Sequence, residues 1–242
     1  MLRQWLATLT LAALVPVSAS AQTADELIAK NLAAKGGLEN IKAVQTMRLT
    51  GTMPVGQGVE APFVMELKRP NQMRLDCTYQ GMTATQAFDG KTGWQLLPFT
   101  GRREPQVLPA DAVKQFAAQA DMDGPLVDYQ AKGHKVEYVG REKVEGTDTY
   151  ILKVTLKSGE VTRVFLDAEQ YLEIRSEGKS RGPTGGEMEI ETLISDYREV
   201  GGLMLPHLRE SGPKGGTQKV KMTIQKVELD VPLDDARFRM PR

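Results

Sequence analysis

Catalysis by side chains alone needs a nucleophile beside a base, or a cluster of metal ligands, and this chain offers few such residues. It carries two histidines, His134 and His207, and one cysteine, Cys77. No His-x-x-x-His or Cys-x-x-Cys spacing occurs, and the one Gly-x-Ser-x-Gly, Gly178-Lys179-Ser180-Arg181-Gly182, leads from a strand into a glycine-rich turn and not into a helix, so the usual zinc and serine-hydrolase arrangements lack support. His134 follows Lys132-Gly133 and His207 follows Leu205-Pro206, positions that read as turn or solvated histidines. Cys77 alternates with Met73, Leu75 and Tyr79 on the apolar side of a strand, so it reads as a core thiol. Glu187, Glu189 and Glu191 alternate with Met188, Ile190 and Thr192, the pattern of a solvated strand face. Asp230, Asp234 and Asp235 lack the spacing of a calcium loop, and Arg102-Arg103 reads as a surface pair in a polar loop. The loops Gly182-Pro183-Thr184-Gly185-Gly186 and Gly212-Pro213-Lys214-Gly215-Gly216 lack the Gly-Lys-Ser/Thr ending of a phosphate loop and read as hairpin turns. No cofactor and no metal is expected.

The methionines point elsewhere. Met47, Met53, Met65, Met73, Met188 and Met222 fall on the apolar side of alternating segments. A flexible, polarisable thioether surface adapts to varied apolar ligands, although the same residues also fill gaps in cores. The chemistry such a surface offers is binding, not bond-making.

The elements that would position this surface are mostly strands. Met47, Leu49 and Met53 alternate with polar neighbours, as do Phe63, Met65 and Leu67, and then Met73, Leu75, Cys77 and Tyr79. Seven further strands are expected near Lys135 to Arg141, Thr149 to Leu156, Val161 to Asp167, Tyr171 to Gly178, Met188 to Glu199, Leu203 to Glu210 and Gln218 to Leu229. Helix signals are fewer. Thr23 and Glu26 have capping-box spacing ahead of Leu27, Ile28 and Leu32, and Gly36-Gly37 ends that helix before a short helical piece from Leu38 to Ala43. A helical insertion runs from Pro109 to about Ala131, broken at Gly124-Pro125, with Leu126, Val127 and Tyr129 in its second piece. About ten antiparallel strands with one apolar face must close, pack on a second sheet or curl around helices, and these helices favour the last. The fold class expected is mainly β with helices (α+β).

Met1 to Ala21 reads as a secretory leader: Arg3, an uncharged apolar run from Leu6 to Val17, then Ala19-Ser20-Ala21 for cleavage before Gln22. Residues 22–242 carry no linker and read as one domain. The charge balance, 31 basic against 31 acidic residues, gives no pull towards nucleic acid or anionic membrane surfaces. A single cysteine cannot form an intrachain disulfide. The chain is expected in the periplasm as a monomer without stable membrane insertion.

Several phrases, in order, carry a family resemblance. They are Ala24-Asp25-Glu26-Leu27-Ile28 leading to Gly36-Gly37, and Phe88-Asp89-Gly90-Lys91-Thr92-Gly93-Trp94. Then come Phe165-Leu166-Asp167 before Tyr171-Leu172, Ser195-Asp196-Tyr197 before Gly201-Gly202-Leu203-Met204-Leu205-Pro206, and Val231-Pro232-Leu233-Asp234-Asp235-Ala236-Arg237-Phe238. Together they make residues 22–242 resemble the LolA-like lipoprotein-carrier superfamily of outer-membrane lipoprotein-sorting proteins. The resemblance implies an incomplete antiparallel β-barrel wrapped around lid helices, a hydrophobic cavity between them, and a periplasmic carrier without a cofactor. Cys77 lies far from the cleavage site, so no cysteine is available there for lipid attachment; the chain is also poorer in aromatics than the carriers, and offers no arginine that the sequence alone assigns to fastening a lid. The cargo expected is a lipid or the acyl chains of an acylated protein. It would lie between Met47, Leu49, Met65, Leu67, Met73 and Leu75 and a lid around Phe116 and Leu126. Trp94, the only tryptophan after the leader, joins that lining if its strand turns it to the cavity and not to a structural core. A second reading on the same elements is a non-catalytic envelope sensor or protein-interaction module with a filled interior. A hydrolase with an unrecognised site comes third.

Overall fold

The computed structural model describes residues 22–241 apart from 57, 102 and 182–185. The leader assigned to Met1–Ala21, Arg102 and most of the first glycine-rich loop therefore lie outside the described residues. Three α-helices, α1 (Ala24–Ala34), α2 (Leu38–Ala43) and α3 (Ala110–Ala120), accompany thirteen strands. Six strands belong to the first half: β1 (Thr46–Gly56), β2 (Val59–Lys68), β3 (Gln72–Tyr79), β4 (Met82–Phe88), β5 (Gly93–Leu96) and β6 (Gln106–Val107). The second half supplies β7 (Lys135–Val144), β8 (Thr147–Thr155), β9 (Val161–Asp167), β10 (Glu173–Arg181), β11 (Glu187–Val200), β12 (Leu203–Pro213) and β13 (Val220–Leu229).

All thirteen form one antiparallel sheet in the order β6-β5-β4-β3-β2-β1-β13-β12-β11-β10-β9-β8-β7. Each half is a meander, and β13 returns to pair with β1, which makes one sheet of the two. Ten strands were expected from alternation. The three not foreseen are β4, whose Thr-Ala-Thr-Gln-Ala sequence gives little apolar contrast, and β5 and β6, of only four and two residues.

α1 begins at the expected capping box: the Glu26 N–H donates to Thr23 Oγ1 (3.2 Å) and the Thr23 N–H donates to the Glu26 carboxylate (3.1 Å). Its apolar side, Leu27 and Ile28, packs on Leu152, Val154, Val164 and Leu166 of β8 and β9, joined by Leu126. α3 lays Phe116 and Ala120 on Leu67, Met73 and Phe88 of β2 to β4, with Met47 and Met65 at the margin. Val127, Ile41, Val44 and Leu203 form a third cluster between these two. The helices all cover one face, here called the inner face. A cavity lined jointly by α3 and by β9 and β10 requires the two ends of the sheet to curl towards each other.

The helical insertion is shorter than the sequence suggests. Pro109 caps α3 from outside, and 121–133 is a run of turns, not a second helix. Asp128 (φ 49°) and Gly124 (φ 71°) take left-handed backbone there, and Lys132 ties the run together by donating to Asp121 (2.5 Å) and the Gly124 carbonyl (2.7 Å). Leu126 and Val127 are nonetheless buried, as their apolar character demands.

Two glycines are needed for close approach. A Cβ on Gly51 would stand 1.9 Å from the Thr223 carbonyl oxygen, at the bulge where β1 bends against β13. A Cβ on Gly36 (φ 111°) would stand 2.1 Å from the Gly202 carbonyl oxygen, so the Gly36-Gly37 and Gly201-Gly202 phrases meet in space.

The outer face of β1 to β5 is covered by the chain after β13. Trp94 Nε1 donates to the Phe238 carbonyl (2.8 Å), Arg237 Nε to Glu66 (2.6 Å), and Lys68 Nζ to the Leu233 carbonyl (2.8 Å). Glu66, 2% exposed, also takes Arg48 (3.0 Å), so its charge is matched on both oxygens.

Candidate functional site

Antiparallel pairing places partners on the same face. The pairs Leu49–Met65 and Met65–Leu75 therefore line up across β1, β2 and β3 on the inner face, one step from the row Met47–Leu67–Met73–Phe88. The second row is capped by α3. In the first, Leu49, Met65 and Leu75 stay half-buried. Met65 touches the α3 cluster, but the row as a whole is incompletely covered, and an incompletely covered apolar row on the concave side of a curled sheet can receive a partner.

Two hollows accompany it. A cavity of about 720 Å³ opens between Lys114 and Gln115 of α3, the β8–β9 turn and Gly178 to Ser180 of β10, with Glu and Lys side chains at its rim. Its size lies inside the range of roughly 300–1,000 Å³ typical of small-molecule sites. A recess of about 50 Å³ lies under the helices, walled by Met47, Ile41, Val44, Leu203 and Leu205 and reached by Lys35, Arg69 and Met122.

Arg69 is the fastening that the sequence did not identify. It sits just past β2 and its guanidinium reaches four acceptors: both oxygens of Asp123 (2.8 and 2.6 Å), the Val44 carbonyl (2.7 Å) and the Ile41 carbonyl (3.0 Å). One side chain thus ties the sheet to the end of α2 and to the run following α3. The guanidinium beside Asp123 holds that carboxyl below the usual carboxylate range, and Asp123 holds Arg69 firmly protonated. No local signal flags the pair, because both residues lie in polar text with no periodicity.

Deeper in, the inner face carries charge. Lys35, the cap residue of α1, projects among Met47, Leu203 and Leu205. Burial pushes its ammonium down while Glu173 opposes this, and burial pushes the Glu173 carboxyl up while Lys35 and Arg209 oppose that. The Tyr197 hydroxyl donates to the Glu173 carbonyl (2.8 Å), and burial raises that phenol as well. Pairing with Leu166 and Ile194 puts Glu173 and Arg209 on the inner face. A parity signal did exist for Arg209, since Leu203, Leu205, His207 and Arg209 alternate on one side of β12.

The nine residues assigned to cargo from the sequence do not all come together. Met47, Leu49, Met65 and Leu75 are half-buried on the inner wall, and Leu67, Met73 and Phe116 are packed under and within α3. Leu126 belongs to the other cluster, with α1. None of the nine lines the larger cavity, and Met47 alone lines the recess. Trp94 faces the outer side: its partner Ala87 pairs with Arg74, whose guanidinium stacks 5.8 Å from the indole centre. It is a structural residue, 1% exposed, locked to the C-terminal tail.

The groups considered for chemistry hold structural positions. His207 is not a solvated turn residue: at 3% exposure it is buried in β12 with Nδ1 2.9 Å from the Leu205 carbonyl. His134 Nδ1 accepts from the Lys157 N–H (3.1 Å). Burial raises the Cys77 thiol, the direction opposite to that of an activated cysteine. Glu191 departs from the solvated face assigned to its strand, being buried and paired with Lys219 (3.1 Å), whereas Glu187 and Glu189 are exposed. Among the described residues no group of three or more metal-ligating side chains comes together.

No protein-family profile matches the chain, and no curated protein matches it. Its likeness is to solved structures. A LolA superfamily protein from Nitrosomonas europaea superposes with a TM-score of 0.57 at 13% identity, over 90% of this chain and 98% of that one. A DUF1329 family protein from Desulfovibrio piger gives 0.56 at 14%, covering 89% and 97%. The outer membrane lipoprotein-sorting protein domain from Vibrio parahaemolyticus, itself a functional assignment by likeness, gives 0.55 at 14%, covering 88% and 94%. The fold is LolA-like: an open antiparallel sheet curled around a few helices. Among the described residues no helix is long and apolar enough to cross a membrane.

Proposed function

We propose that this protein is a periplasmic binding or carrier protein for lipids or lipoprotein acyl chains, acting without catalysis. In this reading the leader is removed after Ala21, and residues 22–242 work as one domain. The observation that carries the reading is the half-buried row Leu49–Met65–Leu75 on the concave face, covered only in part by α3, in a fold shared with lipoprotein-sorting domains. An acyl chain of about 15 methylenes laid along such a wall gains about 12 kcal/mol at roughly 0.8 per methylene. Association and ordering costs remove much of that, which leaves affinities in the micromolar to nanomolar range.

Native mass spectrometry of the protein purified without detergent tests this. Bound lipid, or saturable binding of a fluorescent fatty acid, is the expected result. A protein that arrives empty and ignores the fatty acid refutes it. The tight packing of Phe116 and Ala120 onto Leu67, Met73 and Phe88 favours one alternative, an envelope interaction module with a filled interior. A stoichiometric protein partner in the absence of any lipid binding would select that alternative.

A further inference from the structure

Lys35 and Arg209 are cations on or under the inner face, and among the described residues neither side chain makes a hydrogen bond or ion pair to a protein group. The other charges nearby are already matched: Asp123 by Arg69, and Asp121 by Lys132. Among the described residues Glu173 is the carboxylate left to the two cations, so the group carries an excess of positive charge. Its setting is apolar, with Met47, Leu203 and Leu205 around the Lys35 side chain. An ammonium among such residues is costly unless an anion or water satisfies it. The recess of about 50 Å³ beside it exceeds the ~10–15 Å³ that a single water needs.

We propose that Lys35 and Arg209 form a subsite for the anionic headgroup of an amphiphile, a carboxylate or phosphate, whose chain runs along Leu49, Met65 and Leu75. The assignment rests on the carrier reading and deepens it by naming the cargo's charge. Lys35 supplies a point charge at the closed end, and Arg209, at the exposed end, supplies a planar donor fork suited to paired oxygens. Glu173 sets the polarity: it tempers the two cations when empty, and disfavours a ligand bearing two or more negative charges. The burial that lowers Lys35 is relieved when an anion arrives, so binding and protonation support each other.

The test compares parinaric acid with its methyl ester, one chain with and without the charge, by fluorescence titration of the protein lacking residues 1–21. The acid is expected to bind about tenfold more tightly, the factor that one charge-assisted hydrogen bond supplies. Lys35→Met and Arg209→Gln should each bring the acid towards the ester and leave ester binding unchanged. Arg209→Gln, at an exposed position, decides the matter should Lys35→Met fail to fold. Acetate and inorganic phosphate form the third arm. No displacement of the acid by either is expected, and displacement would replace the headgroup subsite with a plain anion site. If acid and ester bind equally and neither substitution matters, the carrier stands and the subsite falls. If neither ligand binds, the carrier reading itself has failed.

Discussion

Replacing Arg69 by methionine removes the fork that holds the sheet to the helices while keeping a side chain of similar reach. The substitution deletes two bonds to Asp123 and two to main-chain carbonyls of Ile41 and Val44. Bonds to charged groups contribute about 1.5–3 kcal/mol each in isolation. Breaking a fully buried ion pair costs about 3–5 kcal/mol. Arg69 and Asp123 are 20% and 13% exposed, so water recovers part of that, and about 2–3 kcal/mol is expected. For a domain of this size, with roughly 2–4 °C per kcal/mol, Tm falls by about 5–10 °C. The loss should be local first: amide exchange is expected to quicken in 38–44 and 121–133 ahead of β8 and β9. The pH sign is fixed by Asp123, whose folded value is depressed. Its contribution is complete above the unfolded carboxylate value and is lost as pH falls through the lower folded value, so wild type and variant converge in strong acid. Lysine at position 69 keeps the charge but not the fork and should fall between the two. A Tm within a degree of wild type (about 0.5 kcal/mol at most), with unchanged exchange in both segments, would refute the assignment of Arg69 as the fastening.

Three further substitutions probe other parts of the fold. Phe238→Ala empties a fully buried site in the tail whose carbonyl holds Trp94 and should cost about 3–5 kcal/mol in urea unfolding, with a red shift of Trp94 emission, whereas Met240→Ala, at an exposed position, should do neither. Glu173→Gln should stabilise the protein at neutral pH. The raised folded value means that wild type loses stability as pH climbs from the unfolded value towards the folded one, and denaturation across that window should show the slope vanish in the variant. Gly36→Ala meets both a positive φ and the Gly202 carbonyl, so a loss of at least about 2 kcal/mol is expected in the same assay, while alanine at Gly56 (in open space) should be tolerated far better.

What the sequence made legible follows from which interactions are local. The capping box of α1 is a matter of residues three apart, and the long strands announce themselves through alternation over eight or more positions. β4 to β6 did not, because the middle of β4 is small or polar and β5 and β6 span only four and two residues, their pairing being supplied in turn by β3, β4 and β5. The inner wall of β1 to β3 could be read from parity. Which half of that wall is covered could not, since it depends on where α3 lands, and nothing within 110–120 records its target. Trp94 illustrates the same limit: alternation on a four-residue strand does not settle its face, and its partner, the Phe238 carbonyl, lies 144 positions away. Arg69 and Asp123 are 54 apart and Lys35 and Glu173 farther still, so the charges that most shape the site were the least visible.

The filled and unfilled parts of the inner wall are connected through α3. That helix covers β2 to β4 with Ala112, Val113, Phe116, Ala117 and Ala120, of which only Phe116 is large. An acyl chain covering the same wall would bury comparable apolar area, so exchanging α3 for cargo loses little hydrophobic free energy, and the Arg69 fastening on the run after α3 becomes a main opposing term. Phe116→Ala separates a plug from a pocket wall. As a plug, Phe116 competes with cargo: its truncation should lower stability by about 3–5 kcal/mol and tighten parinarate binding at the same time. As a wall of the binding pocket, its truncation would weaken both. Titration and unfolding of one protein preparation therefore give opposite signs for the two arrangements, and weaker binding in the alanine variant would mean that α3 stays in place when the cargo is bound.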